Sequence, residues 1–180
     1  MTLTSNQRIG LVAFTVLALD QFTKKLVLNY LGYSEEKVIV EGFFKFVHWH
    51  NTGAAWSLFR DHNATLAIVS LVALLGLFLF RHHFSAHRVL GQWALGLMFG
   101  GIMGNVVDRL HPQRQHVIDF IYFYVNQRGG GEKGFPAFNI ADSAICIGVA
   151  LLFVLSWQSE PATAHNEPAP TPSAPFKSES

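Results

Sequence analysis

Four long apolar segments constrain the fold of this 180-residue chain more than any other feature. They span residues 9–28, 64–80, 89–107 and 138–157. A helix needs about 20 apolar residues, within a workable range of about 17 to 25, to cross the hydrocarbon core of a bilayer. Each segment meets that length, so the sequence predicts an all-α integral membrane protein with four transmembrane helices.

The composition supports a membrane protein. Half of the residues are hydrophobic and only 14% are charged, whereas soluble domains carry about 25% charged residues. The net charge of +1 argues against nucleic acid as a partner. A charged stretch from Asp20 to Lys24 stands where a signal peptide would have small residues, which argues against cleavage of the first segment.

The connecting segments differ in character. The first loop, residues 29–63, contains a β-branched and aromatic stretch at 37–47, which predicts strand-like structure. The second long loop, residues 108–137, carries an aromatic patch and a glycine run. We therefore expect one membrane domain, residues 1–157, followed by a Pro/Ala/Ser-rich disordered tail, residues 158–180.

Alternating transmembrane helices collect the polar residues on one side of the membrane. The ends that must share this side carry carboxylates, amides and a lysine: Asp20, Lys24, Asn63, Asn105, Asp108, Asn139 and Asp142. The other side has the short Arg81–Arg88 turn, and basic residues in short loops favour the cytoplasm. The polar side is therefore predicted to be extracytoplasmic, with both termini cytoplasmic.

Two helix ends carry patterns that have both structural and functional explanations. Asp20 and Lys24 lie four residues apart and can form an ion pair on one helix face, which is either purely structural or a support beside an active site. The Gly100 and Gly104 spacing is typical of close helix packing in lipid. Close packing does not account for Asn105 and Asp108, which share a face, nor for Arg109, which can pair with a nearby carboxylate. His50 to Ser57 is rich in small and amide residues, and taken alone it is typical of an ordinary turn.

Two aspartates occupy unusual apolar surroundings. Asp119 lies in the stretch Val117-Ile118-Asp119-Phe120, and Asp142 lies one turn into the last apolar segment. Two buried, adjacent carboxyls cannot both ionise. The ionised one can act as a base toward water and the protonated one as an acid toward a carbonyl, which is aspartic peptidase chemistry. The structural alternative is helix capping by Asn139 and Asp142.

Other functional groups are not indicated. The nine histidines do not place three ligands with a carboxylate on one face, so zinc is not favoured. Cys146, the single cysteine, is expected to be a buried, inert thiol. A proton-coupled transporter or channel would also use intramembrane carboxylates, but at different depths. A non-catalytic assembly subunit would not need paired aspartates.

Five motifs, taken together, resemble those of the bacterial lipoprotein signal peptidases (signal peptidase II), over about residues 8–157. In chain order they are Asp20-Gln21-x-Thr23-Lys24, Asn51-x-Gly53-Ala54-Ala55-Trp56, Gly104-Asn105-x-x-Asp108-Arg109, Val117-x-Asp119-Phe120 and Phe138-Asn139-x-Ala141-Asp142. The resemblance implies a four-span aspartic endopeptidase of the bacterial inner membrane without metal or organic cofactor. Its substrates would be prolipoproteins bearing a diacylglyceryl group on a cysteine, cut just before that cysteine, and the peptide globomycin would inhibit it.

The resemblance also implies roles for individual residues. Asp119 and Asp142 would be the catalytic pair. The residues that would bind substrate or support the site are Asp20, Lys24, Asn51, Gly53, Asn105, Asp108, Arg109 and Asn139. The first loop would form a small extracytoplasmic β-like platform on the outer membrane surface, and the aromatic stretch after Asp119 would form a membrane-edge flap. Segments 111–116 and 127–135 are long for this family, and the tail has no counterpart in its pattern.

Overall fold

The computed structural model of the protein describes residues 3–53, 62–84 and 88–157. Within these ranges the helices are α1 (Ser5–Tyr30), α2 (Asn63–Phe80), α3 (Val89–Leu110) and α4 (Ile140–Trp157). The strands are β1 (Glu36–Val40), β2 (Phe44–Asn51), β3 (Val117–Asn126) and β4 (Glu132–Gly134). Residues 54–56 of the second motif, Ser57, His87 and the 158–180 tail lie outside the described residues.

All four predicted apolar segments are helical. The ends of α1 to α4 fall within four residues of the predicted ends. The helices Asn63–His83 (α2 with its 3₁₀ extension), Val89–Leu110 and Ile140–Trp157 are long and apolar enough to cross a membrane. α1 is longer, 26 residues, but it carries several charged residues. It begins in a capping box, in which the Thr4 hydroxyl accepts from the Gln7 amide and the Gln7 side chain accepts from the Thr4 amide.

Glycine residues allow α3 to pack closely between α1 and α4. A Cβ added at Gly100 would lie 2.5 Å from the carbonyl oxygen of Ala13 on α1. A Cβ at Gly101 would lie 2.5 Å from the carbonyl oxygen of Ala141 on α4. The small-residue packing predicted from the sequence is therefore confirmed, and it brings the polar ends of three helices together.

The strands form one antiparallel sheet in the order β1-β2-β3-β4. The predicted β-like stretch in the first loop corresponds to β1 and β2. The other half of the sheet, β3 and β4, comes from the second long loop, where the sequence pattern did not predict strands. The aromatic stretch implied to be a flap is β3, which pairs with a strand on each side. Its pairing partners in β2 lie 66 to 79 residues earlier in the chain, from the Asn51–Val117 pair to the Phe44–Phe123 pair, which local sequence patterns do not reveal.

Apolar contacts hold the sheet against the end of α1. Val27 of α1 forms a buried cluster with Ile118 and Phe120 of β3. On the sheet itself, the buried Lys45 ammonium pairs with Glu36 of β1 and, at 2.6 Å, with Glu132 of β4. Part of the 127–135 segment is thus folded into the sheet as its last strand, which pairs with β3 at Tyr124–Asn126, whereas Asp119 lies in the part of β3 that pairs with β2.

Candidate active site

Asn139 connects the two aspartates that the sequence analysis paired. Its side-chain amide donates to Asp119 Oδ1 at 2.8 Å, and its backbone amide donates to Asp142 Oδ2 at 3.2 Å. Asp119 is supplied by β3 and Asp142 by the first turn of α4. The fold therefore brings both carboxyls to one residue, although 23 positions separate them in the chain.

Asn139 and Asp142 also cap α4. The Asn139 side-chain oxygen accepts from the Asp142 backbone amide at 2.9 Å, which together with the reverse bond to Asp142 makes a reciprocal capping box. The capping role proposed as the structural alternative is therefore confirmed. It does not exclude a functional role, because the second oxygen of Asp142 and the Asn139 side-chain amide remain directed at other polar groups.

Two further amides complete the donor set around the carboxyls. Asn105 of α3 donates to Asp142 Oδ1 at 2.8 Å, and Asn51 at the end of β2 donates to Asp119 Oδ2 at 2.9 Å. Asn51 is itself oriented by the Gly53 amide, which donates to its side-chain oxygen at 2.9 Å. Each oxygen of both aspartates thus accepts an N–H donor.

Burial raises the pKa of Asp119, which lies on β3 and outside the helices. The Asp119 side chain is buried, and burial raises its pKa to about 7, with the neighbouring Asp142 charge adding to the shift. The donors Asn51 and Asn139 act in the opposite direction but do not cancel it. A carboxyl in this state can carry a proton near neutral pH and donate it to a substrate.

A buried charge cluster, formed by Asp20, Lys24 and Asp108, lies next to Asn105. Lys24 lies 2.8 Å from Asp20 Oδ2 and 2.7 Å from Asp108 Oδ2, and all three side chains are no more than 1% exposed. The predicted Asp20–Lys24 ion pair is therefore confirmed. Asp20 also accepts the Ala141 backbone amide at 3.0 Å, so the cluster connects α1 and α3 to the first turn of α4.

Arg109 holds the loop that follows β2. Its guanidinium donates to the Gly53 carbonyl oxygen at 2.7 Å and to the Asn63 side chain at 3.1 Å. Within the described ranges it forms no ion pair with a carboxylate, so the expected pairing is wrong. Arg109 is the residue that holds the loop after β2, and with it Asn51, beside the end of α3.

The sequence analysis assigned no role to two residues of this region. Gln21 donates to Asp20 Oδ2 at 3.1 Å, to the Gly104 carbonyl at 3.1 Å and to Asp108 Oδ1 at 3.3 Å. Asn63 donates to the Arg109 carbonyl at 2.9 Å. For Gln21 the available signal was its place within the first motif, next to Asp20. For Asn63 the signal was its place on the polar side.

Histidine rings meet on the sheet without forming a metal site. His50 stacks on His116 with ring centroids 3.6 Å apart, and His48 lies 5.2 Å from His50. In the part of the chain that the structure describes, no group of three or more His, Cys, Asp or Glu residues is arranged to hold a metal ion. Cys146, expected to be buried, is exposed on α4.

A bundle of apolar helices with charged groups buried at one end is typical of membrane-embedded enzymes. A solved structure described as a bacterial membrane enzyme, determined by the in meso method at 2.3 Å resolution, is similar to this chain with a TM-score of 0.74 and 28% identity. The similarity covers 87% of this chain and 92% of that one. A second bacterial membrane enzyme, solved at 1.9 Å, gives a TM-score of 0.68 and 29% identity over 84% and 92% of the two chains.

Sequence comparisons define the family. The family model described as signal peptidase (SPase) II matches residues 12–158. The lipoprotein signal peptidase of Anoxybacillus flavithermus is 35% identical over 83% of this chain and 85% of that protein. The Desulforapulum autotrophicum enzyme of the same name is 39% identical over 80% and 88%, and the Bacillus subtilis one 34% over 80% and 89%. The chain belongs to the signal peptidase II family and is therefore a membrane protease.

Proposed function

We propose that this protein is an aspartic endopeptidase that removes signal peptides from diacylglyceryl-modified prolipoproteins, cutting just before the lipidated cysteine. Family membership supports the removal of signal peptides from prolipoproteins. The observation that carries the aspartic mechanism is the pair of carboxyls joined through Asn139, with every oxygen held by an N–H donor.

The proposed reaction uses the two carboxyls in different protonation states. The ionised carboxylate takes a proton from water as the water oxygen attacks the scissile carbonyl carbon. The protonated carboxyl donates its proton to the carbonyl oxygen. When the tetrahedral intermediate collapses, the C–N bond breaks and the leaving amine takes a proton from the first carboxyl, while the second recovers its own. Fixed N–H donors keep both groups in position for each step.

The location of the pair suits a substrate that stays in the bilayer. Asn105 lies in the last turns of α3, and Asp142 lies in the first turn of α4, so the site is at the end of two apolar helices. Withdrawing acyl chains from lipid costs about 0.8 kcal/mol per CH₂. A site at the membrane edge avoids that cost, because the peptide bond reaches water while the acyl chains remain in hydrocarbon.

The topology that accompanies this function has four spans, with α1 as the first. The site faces the extracytoplasmic side of the bacterial inner membrane, and both termini are cytoplasmic. Asp20 and Lys24 enter the bilayer as a pair, which lowers the cost of burying either charge. The remaining partners are membrane lipids and an inhibitor of the globomycin type, whereas the 158–180 tail is dispensable for cleavage.

The experiment that tests the function compares two substrates and four proteins. A diacylglyceryl-modified prolipoprotein and its unmodified form are incubated with purified wild type, Asp119→Asn, Asp142→Asn and Glu41→Gln, and cleavage is followed by gel shift. Glu41 is exposed and serves as a matched removal of one carboxylate. We expect wild type and Glu41→Gln to cleave only the lipidated substrate, and both aspartate variants to be inactive but folded.

Two other outcomes would contradict the proposal in part or in full. Cleavage retained by a folded Asp119→Asn or Asp142→Asn protein removes that residue from the catalytic pair. Failure of folded wild type to cleave refutes the peptidase proposal, and a proton-flux assay in liposomes then tests the transporter alternative. That alternative requires carboxylates at different depths, whereas Asp20, Asp108, Asp119 and Asp142 belong to one connected cluster.

A further inference from the structure

Lys24 fixes the orientation of the Asn105 side chain. Its ammonium donates to Asn105 Oδ1 at 3.1 Å, and the Asn139 amide donates to the same oxygen at 3.3 Å. With Oδ1 committed to two donors, the Asn105 NH₂ group must face Asp142 Oδ1, 2.8 Å away. If the Asn105 amide were flipped, its NH₂ group would face the donors of Lys24 and Asn139, and its oxygen would face an oxygen of Asp142. The observed orientation is therefore the one that satisfies all three contacts.

This orientation makes the surroundings of the two aspartates unequal. The Asn105 amide is polarised by a full positive charge, and hydrogen bonds that involve charged groups are the stronger ones. The corresponding donor to Asp119 is Asn51, whose oxygen accepts from the neutral Gly53 amide. The donor that Asp119 shares, Asn139 Nδ2, also lies 3.3 Å from the Ile118 carbonyl and 3.3 Å from Asn105 Oδ1, so it is divided among three acceptors.

The helix terminus adds to the difference. Asp142 lies in the first turn of α4 and accepts the Asn139 backbone amide, where the partial positive charge of a helix N-terminus favours a carboxylate. Asp119 lies on a strand and has no such contribution. The charged groups packed around the pair come from α1 (Asp20 and Lys24) and from α3 (Asp108 and Arg109). Of these, Lys24 is connected to the pair through one side chain, because it donates to Asn105, which in turn donates to Asp142.

We propose that Lys24, acting through the amide of Asn105, assigns the negative charge of the catalytic pair to Asp142 and leaves the shared proton on Asp119. Lys24 is thus a positioning residue, Asp142 the base toward water and Asp119 the acid toward the carbonyl. This inference rests on the proposed aspartic peptidase function and adds to it which carboxyl performs which step.

The test is the pH dependence of kcat/KM for the lipidated substrate. Its acid limb reports ionisation of the base, and its alkaline limb reports loss of the proton from the acid. Asn105→Ala removes the donor to Asp142, so we expect the acid limb to move to higher pH by about one unit, with the alkaline limb unchanged. Asn51→Ala is the matched variant. It removes the donor to Asp119, and we expect it to move the alkaline limb upward and leave the acid limb in place.

A charge-balanced double variant tests Lys24 itself. Lys24→Met with Asp108→Asn removes one positive and one negative charge, so the cluster of Asp20, Lys24 and Asp108 keeps its net charge of −1. We expect an upward shift of the acid limb in the same direction as for Asn105→Ala. If Asn105→Ala does not fold in detergent, this double variant carries the test.

The results separate the inference from the function on which it rests. An Asn105→Ala profile that shifts at its alkaline limb, or equally at both limbs, overturns the assignment of the charge to Asp142. An unshifted double variant removes Lys24 from the positioning role. Neither result affects the peptidase proposal, which is decided beforehand by cleavage with wild type.

Discussion

A methyl group added at Gly104 tests how closely α1, α3 and α4 meet at the buried charge cluster. The Cβ of Gly104→Ala would lie 2.6 Å from Asp20 Oδ2, 3.1 Å from Asp20 Cγ and 3.3 Å from Ala141 Cβ. The Asp20 side chain is 0% exposed and is held by Lys24 on one oxygen and by the Ala141 amide on the other. It therefore has no free direction in which to move.

The expected cost follows from that confinement. Overpacking a well-filled site costs about 1 to 3 kcal/mol, and here relief of the clash requires the ion pair or the Ala141 hydrogen bond to lengthen. We expect the free energy of unfolding to fall by about 3 kcal/mol, at the upper end of that range. Because Asp20 accepts an amide of the first turn of α4, the displacement also reaches Asp142, and activity per folded molecule should decrease.

The matched control is Gly10→Ala on α1. A Cβ at Gly10 has no atom within 4 Å, so the change should stabilise the helix by roughly 0.5 to 1 kcal/mol. Both variants are unfolded by denaturant titration in detergent micelles and followed by circular dichroism. Equal midpoints for Gly104→Ala and Gly10→Ala would refute the argument, because they would mean that α1 and α3 are farther apart than the structure has them.

Three further predictions concern charge. Lys24→Ala leaves two buried carboxylates without their cation and should lower the free energy of unfolding by about 3 to 5 kcal/mol, whereas the exposed Lys25→Ala should have little effect in the same denaturant titration. Because the pKa of Asp119 is raised from 3.8 to about 7, its contribution to stability is fully present below about pH 4 and lost as the pH rises through about 7. In denaturant titrations, the stability of wild type relative to Asp119→Asn should therefore fall as the pH rises from about 4 to about 7. Glu132→Gln removes one partner of Lys45 and should accelerate hydrogen exchange in β4, measured by mass spectrometry.

Each of these predictions has a result that contradicts it. Equal losses for the Lys24 and Lys25 variants would mean that the buried cluster contributes no net stability. A stability difference between wild type and Asp119→Asn that stays constant from pH 4 to 7 would show an unshifted carboxyl. For the sheet, Glu41→Gln is the control, and equal exchange rates of β4 in both glutamate variants would exclude the Lys45 ion pair as the restraint.

Local patterns in the sequence were sufficient for the helices and for the polar residues at their ends. The apolar segments predicted α1 to α4 because helix length and hydropathy are properties of consecutive residues. The Asp20–Lys24 pair followed from a spacing of four residues within one helix. The motif order brought Asn51, Asn105 and Asn139 into the same proposal as Asp119 and Asp142, and the structure places all five in one hydrogen-bonded group.

Contacts between distant parts of the chain were not predictable in the same way. β3 was described as a loop, because its aromatic residues find their partners in β2 about 70 positions away. The Lys45–Glu132 pair joins residues 87 positions apart, and Arg109 reaches Gly53 across 56. In each case the sequence shows a residue that is expected to need a partner. Which residue becomes that partner depends on how the sheet and the helices pack.

The ion pair within α1 has a consequence for the order in which the protein enters the membrane. During synthesis α1 emerges first, long before Asp108 of α3 or the amide of Ala141 on α4 exists. Lys24 and Asp20 are one turn apart on the same helix, so each has its counter-ion within α1, and the two side chains can be buried as a neutral pair before the other helices are made. Asp142 has no such partner within α4, and it can be buried only after α3 and β3 are in place. We therefore expect the nascent enzyme to become active in a single late step, when its last helix docks.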